Sequence, residues 1–192
     1  MKMSSNNHEV VRTGEKLNQY ALVIYIPDPL ARFLDHLRLE LVVGCRPRAH
    51  VTVLPPRQLT AVEASEEQAG SMAAEFSPFE LEAGDVEIFP KTNVIFIGVR
   101  RGAEKLKAMH AAMNTDALAY QEPFDYHPHI TLAQEFDPAD TERLLELARQ
   151  RWNAYSGPRT FPAESVAFVR NIDGNRWLDL AVFGLGTVVR RQ

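Results

Sequence analysis

The stretch His127-Pro128-His129-Ile130-Thr131-Leu132-Ala133-Gln134 decides how the chain is read, because Ala49-His50-Val51-Thr52-Val53-Leu54 repeats its pattern earlier. Each reads His-x-Thr around a β-branched aliphatic, with another aliphatic just after. Side chains of a strand alternate faces, so His and Thr project together while Val51 and Val53, or Ile130 and Leu132, point the other way. The aliphatic face can pack on a core and leave imidazole and hydroxyl to line a cleft. Nine of the 192 residues are Thr and six are His, so two such matches arise by chance at a rate of roughly 3%. Either stretch alone reads as a strand histidine bonded to a neighbour. The pair reads as a site.

Outward from these stretches, short apolar runs alternate with helical periodicity. Tyr20 to Ile26 predicts a strand, and Asp28-Pro29 opens a helix to about Val43 with Leu30, Phe33, Leu34, Leu37 and Leu41 on one face. The first His-x-Thr strand follows. Thr60 to Phe76 predicts a second helix, with Thr60 and Glu63 in capping-box spacing. Strands are expected at Phe79–Phe89 and Val94–Val99, then a third helix from Ala103 to Tyr120, then the second His-x-Thr strand. A fourth helix covers Ala139 to Trp152, and Phe161–Val169 and Arg176–Phe183 form a hairpin about Asn171-Ile-Asp-Gly174. His8, His36 and His110 read as solvated or helix-face residues. Strand, helix, His-x-Thr therefore occurs twice, which suggests two lobes related by a pseudo-dyad with the motifs facing across the seam.

The paired motifs, and above all Pro-His-Ile-Thr-Leu-Ala at 128–133, resemble those of the two-histidine (2H) phosphoesterase superfamily. The nearest branch is the bacterial and archaeal RNA 2',3'-cyclic phosphodiesterases, the 2'-5' RNA ligase or LigT-like family, and the likeness runs from about Tyr20 to Leu185. It implies an α+β, bilobal, pseudo-two-fold fold, with two small antiparallel sheets lining a central cleft and helices outside. It also implies that His129 activates water and His50 protonates the leaving 3'-oxygen. Family members often carry a basic residue shortly after the second motif, where this chain has Gln134.

Composition narrows the remainder. A chain of 192 residues, 45% hydrophobic and 24% charged, is that of an ordinary globular protein. The expected organisation is a polar tail over residues 1–18 and one bilobal domain over 19–192. No apolar run reaches the roughly 20 residues of a membrane span, and the polar N-terminus lacks the apolar stretch of a secretory signal. The one cysteine, Cys45, excludes an internal disulfide and fits a reducing cytoplasm. A net charge of −4 and a pI near 5.9 tilt the reading toward a small phosphodiester or an RNA end over extended duplex binding. A monomer is expected.

Opening a cyclic phosphate takes a base for the attacking water and an acid for the leaving ribose oxygen. Imidazole serves either role near neutral pH. In-line attack places the two groups on opposite sides of phosphorus, so one histidine from each lobe, His50 and His129, fits the geometry. Thr52 and Thr131 supply hydroxyl donors to the non-bridging oxygens. No cofactor or metal is required; His127 beside His129 raises a zinc site as the alternative, but no Cys or carboxylate cluster completes a ligand set. Arg57, Lys91 and Arg48 are basic candidates for a phosphate, Tyr126 or Phe124 for stacking a base, and His127 for the substrate edge. The leading reading is a phosphodiesterase that opens a cyclic phosphate or cuts a 2'-5' linkage, with ligation as the reverse reaction. Beside it stand a small-nucleotide cyclic phosphodiesterase of the ADP-ribose cyclic phosphate type, and a module that binds a phosphate or RNA end without turnover.

Overall fold

A computed structural model describes residues 18–45, 48–173 and 176–186. The expected tail at 1–18 therefore lies outside the described residues except for Asn18, and so do Gly174 of the expected turn and His8. Eight strands and four α-helices follow in the order β1 (Tyr20–Tyr25), α1 (Leu30–Leu41), β2 (His50–Arg57), α2 (Val62–Glu75), β3 (Phe79–Phe89), β4 (Val94–Arg101), α3 (Ala103–Met113), β5 (His129–Ala133), α4 (Thr141–Ala154), β6 (Thr160–Ala163), β7 (Ser165–Asp173) and β8 (Arg176–Gly184). They build two four-stranded antiparallel sheets, in the orders β2-β1-β7-β8 and β5-β4-β3-β6. The α+β bilobal expectation holds.

Each sheet turns one face to a continuous core. In the first, Leu22, Ile24, Val51, Val53, Val166 and Phe168 are at most 1% exposed. In the second, Leu81, Ile95, Ile97, Ile130 and Leu132 play the same part. Period-two alternation leaves Val23, Tyr25, His50 and Thr52 on the opposite face of one sheet, and Phe96, His129 and Thr131 on that of the other. Register keeps the motifs beside their neighbours: His50 pairs Tyr25, Thr52 pairs Val23, Thr131 pairs Phe96 and His129 pairs Gly98.

Both motif strands are edge strands, and β2 lies against β5 across the seam. Two of the helices cross it. α1, which follows β1 of the first sheet, packs on β5 of the second, while α3 packs on β2 of the first. α1 buries Leu30, Leu34, Leu37 and Leu41 at i, i+4, i+7 and i+11, a stripe one turn wide. α2 lies on β7 and β8 with only small residues buried, Ser65, Ala69, Gly70 and Ala73. A Cβ on Gly70 would stand 3.0 Å from the Phe183 ring, so this helix sits as close as a hydrogen at that position permits.

Three expectations are corrected. The run 161–169 is two strands in different sheets, with Glu164 as the corner: Phe161 pairs Leu81, while Val166 pairs Phe183. The third helix stops at Met113 because the Asn114 side chain bonds the backbone ahead of it, accepting from Tyr120 N–H at 2.9 Å and donating to Tyr120 O at 3.1 Å. α2 begins at Val62 with no side-chain cap, so the Thr60–Glu63 box does not form.

Candidate active site

His50 and His129 are held alike. His50 donates Nδ1–H to the Arg48 carbonyl at 2.8 Å, and His129 donates Nδ1–H to the His127 carbonyl at 2.6 Å. A carbonyl only accepts, so in each neutral ring Nδ1 carries the proton and Nε2 is bare. The pseudo-dyad thus extends to the tautomer: two imidazoles, one per lobe, each fixed from behind by the residue two places upstream.

Their surroundings differ. His50 stands in T-shaped contact with Tyr25 at 6.5 Å, and Arg48 stacks over the Tyr25 ring at 3.4 Å. Asp179 of β8 joins both, accepting from Tyr25 Oη at 2.6 Å and from Arg48 Nη1 at 2.8 Å. Arg38 of α1 reaches the same Arg48 carbonyl at 3.3 Å. Burial pushes the His50 imidazole down to about 4, and repulsion from Arg38, His129 and Arg48 adds to it against the bond to the Arg48 carbonyl. His129 instead rests in T-shaped contact with Phe89 and Phe96, at 5.1 and 5.3 Å, and these two rings stack on each other at 3.9 Å. Burial lowers its pKa, as does the charge of His127.

A cleft of about 770 Å³ opens beside the motifs, a size that fits one nucleotide-scale ligand. Thr52, His129 and Thr131 line it, whereas half-buried His50 does not. Lys91, Tyr126 and His127 also line it, and so do Phe124 and Gln134. Phe124 is 56% exposed. His127 packs edge-on to Phe89 and Phe96 at 5.4 and 5.6 Å. Arg57 is corrected: it is 1% exposed, and its guanidinium bonds Glu122, Asn114, Leu118 O and Pro55 O, so it is not free for a phosphate. Arg48 stands next to His50 but is already paired with Asp179. Phe89, Phe96, Tyr25 and Asp179 escaped the sequence reading. The alternation of Phe89 and Phe96 with core residues on strands beside a motif is the signal that could have found the first two.

Among the described residues, no three His, Cys, Asp or Glu side chains are grouped to hold a metal ion. No described helix is long and apolar enough to cross a membrane.

The model of the 2'-5' RNA ligase superfamily matches residues 26–175. The chain belongs to that superfamily. No curated protein matches its sequence. Among solved structures, E. coli LigT complexed with 3'-AMP superposes with a TM-score of 0.63 at 18% identity, covering 88% of this chain and 98% of the other. E. coli LigT complexed with NADP+ gives 0.63 at 16%, covering 88% and 99%. Usb1 of Kluyveromyces marxianus gives 0.52 at 13%, covering 86% and 99%. At these identities the likeness shows the fold; this member of the 2'-5' RNA ligase superfamily carries its two His-x-Thr motifs on the facing edge strands.

Proposed function

We propose that this protein is a metal-independent phosphodiesterase that opens the 2',3'-cyclic phosphate of a nucleotide or RNA end, or acts on a 2'-5' linkage, as a monomeric single-domain enzyme of the cytoplasm. The observation that carries the reading is the pair of His-x-Thr strands meeting at the seam, each imidazole with Nδ1–H fixed and Nε2 bare. One bare Nε2 takes a proton from water as its oxygen attacks phosphorus. The phosphorus–oxygen bond to the ribose breaks on the far side, and the other imidazole, protonated, gives its proton to the leaving oxygen. Thr52 and Thr131 donate hydroxyl hydrogens to the non-bridging oxygens, where charge develops.

The family resemblance gives water activation to His129 and the leaving 3'-oxygen to His50. For His50 to carry a proton at neutral pH, the substrate must lift its pKa. Burial is the chief cause of the depression, and an anionic phosphate between the rings counters it by pairing with the imidazolium and offsetting the lesser repulsion of Arg38 and Arg48. E. coli LigT has been crystallised with phosphate, NADP+, 3'-AMP and ATP, which supports a nucleotide as the ligand. The small-nucleotide version is favoured by the cleft itself, where Lys91 is the one Lys or Arg in the lining among the described residues. A polyanion held through several phosphates needs more cations than that.

The test is turnover of 2',3'-cyclic AMP and of a short RNA ending in a cyclic phosphate, with EDTA present. Wild type is expected to open both rings, His50→Ala and His129→Ala to lose about 10²–10⁴-fold in rate, and the nucleotide reaction to vary little with salt. The product, 2'- or 3'-phosphate, identifies which ring is the acid. Activity that survives either histidine variant would refute the mechanism.

A further inference from the structure

A partly buried polar network joins the two motifs along one wall of the cleft. β2 is an edge strand, and the chain between Leu118 and His127 runs along it on the way to β5. From this segment the Tyr126 hydroxyl donates to the Thr52 carbonyl at 2.7 Å, so the backbone of one motif is bonded by a residue three places before the other motif's histidine. The Tyr126 ring stacks on His110 of α3, 4.1 Å between centroids and 2° from parallel. Nε2 of His110 lies 2.9 Å from Glu122 Oε1, and the same oxygen accepts from Arg57 Nη2 at 2.6 Å. Arg57 stands at the far end of β2 from His50. It bonds Asn114 Oδ1 at 2.6 Å and Leu118 O at 2.8 Å, which closes the ring.

We propose that Tyr126 and Glu122 are positioning residues: through the Thr52 carbonyl and Arg57 they fasten the lead-in of the second motif to the strand of the first, and so set the separation of the two imidazoles. The argument rests on the proposed function for its kinetic consequence, but not for its geometry. The pairing of β2 with β1 orders Thr52 within its own sheet. The Tyr126 bond adds to the packing of β2 on β5 a directional tie between Thr52 and the lead-in to His129. A carboxylate shared by Arg57 and His110 in a site where Arg57 is 1% exposed has little freedom to relax, so displacement of the 119–128 segment carries a cost. In-line transfer needs both rings placed to within a fraction of an ångström, and about 1 Å of error can cost on the order of 100-fold. Tyr126 and Glu122 also line the cleft, so substrate binding shifts along with turnover, and hydrogen exchange is the readout that isolates the fastening.

The test uses the full chain and two readouts. Tyr126→Phe keeps the stacked ring and removes the hydroxyl bond; Glu122→Gln keeps the shape and removes the charge. Turnover of 2',3'-cyclic AMP is expected to fall about tenfold in kcat. Amide hydrogen exchange is expected to quicken together in 50–57 and 119–128 of Tyr126→Phe. Unchanged kcat in a folded Tyr126→Phe, or faster exchange limited to 119–128, overturns the proposal. Should wild type leave cyclic nucleotides intact, the functional reading fails, and hydrogen exchange alone still decides whether the two segments are fastened.

Discussion

The neutral state imposed on His50 makes acid the weak side of this protein's stability. An unfolded chain takes up a proton at an ordinary imidazole near ~6.5, while the folded ring resists it down to about 4. Between those values the unfolded state binds more protons, so stability falls as pH drops through the window and levels off below it. His129, lowered in the same direction, adds to the effect. The melting temperature should therefore decline from pH 7 to pH 4, and more gently in His50→Gln; an unchanged decline in that variant would contradict the burial of the ring. At this scale the four motif residues were legible because alternation dictates which face a His-x-Thr presents. Arg57 was not: its position five residues after Thr52 says that it is near the motif, and nothing in the letters says that Glu122, 65 residues on, consumes its charge.

Elements were legible where a strand or helix is bounded by its own chemistry, as in α1, whose leucines repeat at helical spacing after Asp28-Pro29. They were illegible where a distant partner sets the boundary. The end of α3 depends on Asn114 folding back to Tyr120, and the β6–β7 corner depends on which sheet each half finds. α4 shows how firmly an element can be fixed by such partners. Its Trp152 is 1% exposed, donates Nε1–H to Gly84 O of β3 at 2.8 Å, and has Arg159 over its ring at 4.2 Å. Trp152→Ala should cost about 3–5 kcal/mol in urea unfolding, with turnover per folded molecule unaltered, because no atom of α4 lines the cleft. A loss under 1 kcal/mol would mean that α4 does not lean on that indole.

For the whole molecule, the repeat of strand, helix and His-x-Thr foretold two lobes, and the structure adds that they are interlocked. With α1 seated on β5 and α3 on β2, opening either sheet strips a helix from the other, while α2 stays on β7 and β8 and α4 on β3. One cooperative transition is the expected outcome. The two tryptophans allow a check, since Trp152 reports the second lobe and Trp177 lies on β8 of the first. In Trp177→Phe, the urea midpoint from Trp152 fluorescence should coincide with that from far-UV circular dichroism; separate midpoints would show lobes that open independently.

The strand order also bears on how the protein is made. All four strands of the second sheet come from one unbroken piece of chain, 79–163, whereas the first sheet draws β1 and β2 from before it and β7 and β8 from after it. A growing chain can therefore finish the second sheet while β1 still waits for β7. At roughly 5–20 residues per second, translation of the last two strands leaves that apolar edge of β1 unpaired for about one to four seconds. Over that interval a hydrophobic strand with a free edge is open to pairing with another nascent chain.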